Sequence, residues 1–532
     1  MTDRQDAPAS STRPSGRATW RQWLGLAILT LPMLVLATDL TVLFLAMPSI
    51  SADLQPGSSQ MLWTLHVYGF IIAGLLITMG RLGDRIGRRR LLLFGAGAFA
   101  VLAVCAAYAV NIEMLIGARA LLGIAGATLM PSTFSLLRNM FADDSQRRFA
   151  IAVVFSAFSA GGAIGPLLAG VLLEFFWWGS VFLVNAPALV LLLLIGPLLL
   201  PEYRDPDAQR LDLSSVALSL GGMLGIIYGL QEGFEHQSVW PYAVPVVFGL
   251  GLALWFVRRQ LRLADPLLDL GLFANRRFSA SLAAVLLTGF AMVGAFYLFT
   301  QYLQWVLELT PLQAGLWTVP YIVINIAGAM TAPVLVRRFR TAYVMGAGLA
   351  LAAAGLTFAA VVGANADLVL TLTGLSVAGL GQGAAMMLGS DLIISTPPVA
   401  RAGSAAAMQE VSGEFGQALG MAFIGSIGMF AYRAFLGSAM PAGVPPDAAD
   451  AAQNSVTGAS AVAEQLPAAV GAELLATARE GFTQALQTGL AVGAAILAGV
   501  AVLVVWLLRQ PAATDDDADS EATLAEVGSE PA

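Results

Sequence analysis

The sequence predicts an all-α membrane protein that crosses the bilayer many times. Three observations carry that prediction: the overall composition, apolar segments of about twenty residues that recur along the chain, and arginines confined to alternate connections. Of 532 residues, 58% are hydrophobic and 11% charged, with a mean hydropathy of +0.76, whereas a soluble domain carries about 25% charge. Cys105 is the single cysteine, and His66 and His236 are the only histidines. That inventory excludes a disulfide framework, a cysteine metal site or an iron–sulfur cluster. All 27 basic residues are arginine, and with the alanine-rich composition this points to a GC-rich bacterial genome.

A hydrocarbon core about 30 Å thick needs about twenty apolar helical residues. Such segments fall near 24–47, 60–80, 91–110, 114–137, 149–173, 180–200, 211–230, 241–257, 279–300, 312–336, 342–362, 368–390, 403–431 and 483–508. Fourteen spans are therefore expected. With the N-terminus placed in the cytoplasm, 24 of the 27 arginines fall on inner segments, Arg433 and Arg479 fall outside, and Arg119 lies within the fourth span. Both termini are then cytoplasmic.

The expected organisation follows from these spans. Residues 1–22 form a polar cytoplasmic segment with four arginines, and the apolar run after it is too long for a signal-peptide core, so it reads as an uncleaved first helix. Residues 23–200 hold six spans, 201–257 two more, and 279–509 the last six. The spans can thus divide as six, two and six, the two sixes being related bundles with a site between them near the midplane. Residues 258–278 read as a basic cytoplasmic linker on the inner surface, and 432–480 as a long outer connection with room for short interfacial helices. From Gln510 the chain carries seven acids and no arginine, the composition of a disordered acidic cytoplasmic tail.

Within the first span, Asp39 is the only charge between Leu24 and Met47. A carboxylate there costs about 2.5 to 3.5 kcal/mol on insertion scales, so it marks a functional site. In a central cavity a carboxylate can hold either a proton or a cation, and competition between the two is an exchange mechanism. The thirteenth span places Glu410 and Glu414 four residues apart on one helical face, flanked by small residues. Trp317, Tyr321 and Asn325 repeat at the same spacing in the tenth span. Such an aromatic stripe serves packing, or meets a lipophilic cation beside cavity acids.

Several motifs resemble those of a known family. GRLGDRIGRRR, Gly80 to Arg90, has the glycines of a tight turn and the arginines of a headgroup anchor. It resembles the loop motif of the major facilitator superfamily, and that resemblance implies a role in stabilising one end of an alternating-access cycle for Gly80, Asp84, Arg85, Gly87 and Arg88. GGAIGPLLAG, Gly161 to Gly170, packs through small residues and kinks at proline. Its Gly161, Gly165 and Pro166 are similar to the antiporter motif of proton-driven drug exporters, with Ala169 in place of one terminal glycine. The pattern L-x-x-x-R-x-x-x-G from Leu115 to Gly123 resembles the exporters' fourth-helix motif, which implies proton coupling at Arg119; the plain alternative is an arginine that snorkels to the interface.

DLTVLFLAMP, Asp39 to Pro48, resembles the signature that ends the first helix of fourteen-helix drug:proton antiporters. WWGSVFLVNAP, Trp177 to Pro187, and QYLQWVLELTPLQAGL, Gln301 to Leu316, are similar to members of the quaternary-ammonium-compound resistance type. Where those proteins carry an acid in W-I-V-D-x-Y-S, this chain has His66 in WTLHVYG, Trp63 to Gly69. The imidazole is either a packed neutral group or a cavity residue of inverted charge logic.

The resemblance implies a major facilitator fold and a proton-coupled multidrug exporter in a bacterial plasma membrane. Proton coupling and substrate binding would rest on Asp39, His66, Arg119, Trp317, Tyr321, Asn325, Glu410 and Glu414. The alternative of the same fold is a dedicated antibiotic or metabolite exporter. The expected partners are small-molecule drugs, protons and the lipid bilayer, with the chain a monomer and no nucleic acid, metal or cofactor involved. No P-loop is present to bind a nucleotide, and no His/Cys/Asp cluster has catalytic spacing.

Overall fold

In a computed structural model, the described residues are 18–141, 143–204, 212–235, 239–263, 266, 268, 270–362, 367–397 and 402–509. The acidic tail and all but the last few residues of the N-terminal segment lie outside them. The first seven helices are α1 (Trp20–Leu54), α2 (Ser58–Ile86), α3 (Arg88–Ala107), α4 (Ile112–Met140), α5 (Asp144–Phe175), α6 (Ser180–Leu183) and α7 (Ala186–Leu199). Next come α8 (Leu213–Glu235) and α9 (Val239–Gln260). The remainder are α10 (Arg276–Trp305), α11 (Pro311–Leu335), α12 (Thr341–Val362), α13 (Leu368–Ser395), α14 (Ala402–Ser438), α15 (Pro446–Asn454), α16 (Val456–Ala463) and α17 (Ala468–Leu508).

Among the described residues, 13 helices are long and apolar enough to cross a membrane. The seventh expected span is a shorter apolar helix, described as apolar over Leu213–Gly229. The sixth crosses as one span, Ser180–Leu199, with a turn at Val184–Asn185 between α6 and α7 where Pro187 cannot donate to the preceding turn. Polar caps set several other helix starts. Asn111 accepts from Met114 N at 2.8 Å to begin α4, Asp143 from Gln146 N at 2.8 Å to begin α5, and Asp367 from Leu370 N at 3.1 Å to begin α13.

Helices α1 to α7 pack chiefly on one another, through α1 with α5 and α7, α4 with α2 and α3, and α3 with α7. A second bundle forms from α10 to α14 with α17. The pair α8 and α9 packs as a hairpin, and α8 touches both bundles, meeting α2 and α14 through Trp63, Phe70, Ile227, Phe415 and Leu419. Just before α8, Asp212 accepts the Ser214 and Ser215 hydroxyls at 2.6 and 2.5 Å and pairs with Arg259 of α9 at 3.0 Å. Burial pushes its carboxyl up, but these hydrogen bonds outweigh burial and hold it well below the usual carboxylate range.

Much of the connection expected over 432–480 is helical. Helix α14 continues to Ser438, α17 begins at Ala468, and α15 and α16 lie between them. Tyr432 donates its hydroxyl to the Ala452 carbonyl at 3.0 Å, which fastens this cap to α14. In the described part of the 258–278 linker, a 3₁₀ turn spans Leu270–Ala274, and Arg81 of α2 donates to the Pro266 carbonyl at 2.6 Å.

Candidate substrate cavity and its buried ion pair

Helix α2 presents two faces to two environments. Thr64 and Tyr68 lie four residues apart on one face, and Leu65, His66 and Gly69 turn to the other. On the first face, Arg119 of α4 donates Nε to the Thr64 carbonyl at 3.2 Å and lies over the Tyr68 ring at 4.4 Å. The Arg119 guanidinium also donates through Nη1 to Asp39 Oδ2 of α1, 80 positions away in the chain. Arg119 is 0% exposed and Asp39 1% exposed. The arginine therefore does not snorkel: three α-helices enclose a desolvated ion pair, and Asp39 Oδ1 is left without a hydrogen-bond partner.

On the second face, Leu65, His66 and Gly69 line a cavity of about 170 Å³ shared by α1, α2, α5, α10, α11 and α14. Its polar lining comes from Thr41, His66, Tyr321 and Gln417, and its apolar walls include Phe44, Met292, Phe296 and Met421. Among the described residues, no carboxylate or arginine stands in the wall. His66 is 2% exposed and its Nε2 has no hydrogen-bond partner, so the imidazole is buried against the cavity with polar capacity unused.

The sequence placed Asp39 as the cavity's carboxylate; the structure sets it behind the wall. Asp39 turns to Arg119, while the next residues of α1, Leu40, Thr41 and Phe44, form the wall itself. Tyr321 lines the cavity and stacks on Phe296, with ring centroids 5.0 Å apart at 28°. Its hydroxyl donates to Gln382 of α13 at 2.7 Å, and Asn325 Nδ2 donates to the same Gln382 oxygen at 3.2 Å and to the Gly379 carbonyl at 2.9 Å. Trp317, one turn away, packs against the apolar core. Glu410 is half-buried on α14, about 10 Å along the axis from Gln417 at 1.5 Å per residue. The side chain of Glu414 lies outside the described residues.

Gly161, Gly165 and Pro166 sit where α5 crosses its neighbours. Thr38 donates its hydroxyl to the Gly161 carbonyl at 3.3 Å, and a Cβ on Gly165 would lie 3.1 Å from Thr41 Cβ. Across the bundle interface, a Cβ on Gly315 of α11 would lie 2.8 Å from the Pro166 carbonyl oxygen. Only glycine permits that approach. Contacts between the bundles gather toward the α1–α2 end. Gln301 Nε2 of α10 donates to the Phe44 carbonyl at 2.8 Å, and Phe44 meets Phe296 and Tyr297 edge-on or tilted at 6.0 and 6.4 Å.

At the opposite end, Asp84 and Arg88 of the loop motif are satisfied within their own bundle, while Arg81 reaches the linker. Asp84 accepts from Arg88 Nε at 2.8 Å, and Arg88 Nη1 reaches the Pro131 carbonyl at 3.5 Å. Gly80 lies against Pro131, with a virtual Cβ 3.7 Å from the proline Cβ. Gly87 makes the turn at φ 113°, a conformation that favours glycine. Arg85 is exposed, while Arg89 and Arg90 approach Glu202 at 3.4 and 3.7 Å.

Three amides around the cavity were missed in the sequence: Gln301, Gln382 and Gln417. Gln382 is a lone amide in an apolar run, while Gln301 and Gln417 stand beside Gln304 and Glu414; an amide costs less to bury than a charge and so draws less notice.

The model of the Major Facilitator Superfamily matches residues 29–421. The chain is 41% identical to "Multidrug efflux pump LfrA" of Mycolicibacterium smegmatis over 503 residues, covering 94% of this chain and 99% of that protein. It is 31% identical to "Methyl viologen resistance protein SmvA" of Salmonella typhimurium over 465 residues, covering 87% and 93%. Among solved structures it is similar to a bacterial homolog of the human lysosomal transporter Spinster in an inward-facing, unoccupied conformation. That match has a TM-score of 0.66 and 16% identity, and covers 92% of this chain and 98% of the other. The two bundles, the glycine-rich crossings between them and the sequence match together place this chain in the major facilitator superfamily.

Proposed function

We propose that this protein is a drug:proton antiporter of the bacterial plasma membrane, which exports hydrophobic and often cationic compounds as protons enter. The single observation that carries the reading is the buried Asp39–Arg119 pair set directly behind a cavity shared by both bundles. A sealed ion pair responds to one small ligand above all others, the proton. Asp39 Oδ1 is the atom open to it, having no hydrogen-bond partner.

Protonation of Asp39 removes the charge that holds α1 to Arg119, and Arg119 keeps the Thr64 carbonyl and the Tyr68 ring on α2. Helix α1 also carries Leu40, Thr41 and Phe44 of the cavity wall, and Phe44 is part of the closure against α10. Titration at Asp39 therefore acts on both substrate contacts and the closed end through one rigid helix. This replaces direct competition between proton and cation for a single carboxylate. With both termini in the cytoplasm and fourteen crossings divided six, two and six, the closed α1–α2 end faces outward and the cavity loads from the inner side. Aromatic and methionine walls suit lipophilic compounds, and the Phe296–Tyr321 stack offers a face to a cation.

The test is a panel of cationic, neutral and anionic compounds in vesicles holding the purified protein. Efflux driven by an inward proton gradient, across several unrelated compounds, is the expected result. Transport of one compound alone would make the protein a dedicated exporter. Dependence on ATP, or movement of compound and proton in the same direction, would overturn the proposal.

A further inference from the structure

Helix α1 contains Pro48, and a proline inside a helix has no N–H to give the carbonyl four residues before it. In α1 that carbonyl belongs to Phe44. Its donor comes from the other bundle instead: Gln301 of α10, 257 positions away in the chain, donates Nε2 to it at 2.8 Å. Both residues are buried, Gln301 to 2% exposure. Trp305, one turn further along α10, donates its indole N–H to Gln301 Oε1 at 3.2 Å. With its oxygen held by Trp305, the amide presents its nitrogen to α1.

The position of this bond gives it more than a packing role. The central cavity reaches Phe44 and Phe296, and a further cavity of about 70 Å³ begins at Tyr297 and Gln301. Helices α1, α2, α10 and α14 line both, so the two are stacked along one path between the bundles. The Phe44 ring stands at their boundary, 6.0 Å from the Phe296 ring and 6.4 Å from the Tyr297 ring. The further cavity is polar at Ser51, Gln55, Asn454 and Ser455. A site of that size and polarity has room for water.

We infer that Gln301 is a positioning residue for opening of the α1–α2 end, the donor of a latch whose acceptor Pro48 creates. While that end is shut, the bond fixes the Phe44 backbone and with it the ring that divides the two cavities. When α10 parts from α1, the Phe44 carbonyl has no helical donor to return to, so water from the polar cavity takes it. Loss of Gln301 therefore penalises the shut state, in which the carbonyl is left buried and unpaired, and spares the open one. The inference rests on the bundles parting as in the proposed transport cycle, and not on the proton that drives them.

The experiment follows labelling of Val293→Cys, a central-cavity position, by an impermeant maleimide in full-length protein carrying Cys105→Ser. Each face is labelled separately in right-side-out and inside-out vesicles, with no proton gradient and no drug. Gln301→Met keeps the side chain's length and removes its donor. It should accelerate labelling from the face of the α1–α2 end about tenfold, which is about 1.4 kcal/mol. Pro48→Ala returns an N–H to the Phe44 carbonyl within the helix, so in that background Gln301→Met should change the rate by less than about twofold. A hydrogen bond that only aids packing would cost the same in both backgrounds. Should Gln301→Met fail to fold, Trp305→Phe frees the amide to turn away, and its effect should likewise vanish in the Pro48→Ala background. Equal acceleration with and without Pro48, or no acceleration in either, would overturn the inference. Because labelling is read without gradient or drug, a failure of drug:proton exchange leaves this result standing, and a failure of the latch leaves the exchange reading standing.

Discussion

Arg119 of α4 donates to Asp39 of α1 from a position where neither side chain meets solvent, and the same guanidinium lies 4.4 Å over the Tyr68 ring of α2. Breaking such a pair by removing one partner costs about 3–5 kcal/mol, because the other charge is left buried and uncompensated. Asp39→Asn should therefore lower the melting temperature and abolish gradient-driven export. Asp39→Asn combined with Arg119→Gln should recover much of the stability but none of the coupling. A double variant that still exports against a proton gradient would remove the pair from the mechanism.

His66 brings an unpartnered Nε2 to a cavity with no carboxylate among the described residues of its wall. His66→Asp adds an anion there, and two charges about 4 Å apart interact by about 4 kcal/mol at an effective dielectric constant of 20. Even a third of that gives about tenfold in affinity. Dications should gain at least this factor over monocations, measured as the ratio of half-saturation concentrations for export. Unchanged ranking would make His66 a packing residue.

Glu410 acts from farther away, about 10 Å along α14 from Gln417. At that distance a unit charge contributes about 0.4 to 1.7 kcal/mol for dielectric constants between 80 and 20. Glu410→Gln should raise the half-saturation concentration for cations by a factor between about two and about twenty and leave neutral compounds unaffected. Equal losses for both classes would point to folding, as a melting curve would then show.

The crossing of Gly315 on Pro166 is one of the contacts that hold the two bundles together at the α1–α2 end. Gly315→Val should force α11 from α5 and favour opening there. The readout is labelling of Val293→Cys, a cavity position, by an impermeant maleimide added outside, in a Cys105→Ser background that removes the single native thiol. Labelling should accelerate several-fold over the Gly315 parent. No change would show that this crossing is not part of the gate.

Much of the architecture was legible in the chain because bilayer thickness and helix rise leave few ways to read an apolar run of about twenty residues. The segments around Asp39, Arg119 and Tyr321 lie in helices close to where hydropathy put them. Short helices were expected in the 432–480 connection, and α15 and α16 lie there; the turn at Val184–Asn185 within the sixth span was less legible, since it depends on local packing.

By itself the sequence determined that this protein is a bundle of membrane helices and that Asp39, Arg119 and His66 are out of place in them, because a polar group in an apolar run is visible without coordinates. Only the tertiary structure decided what each one meets. Which way a side chain turns depends on the rotation of its helix and on the neighbours that helix meets, and neither is written in periodicity. Thr64 and Tyr68 turn to Arg119 while His66, between them in sequence, turns to the cavity, and Asp39 turns from the cavity that Thr41 and Phe44 line. The pairing of Asp39 with Arg119 spans 80 positions. It exists because the cost of burying each charge alone is relieved only where the two meet.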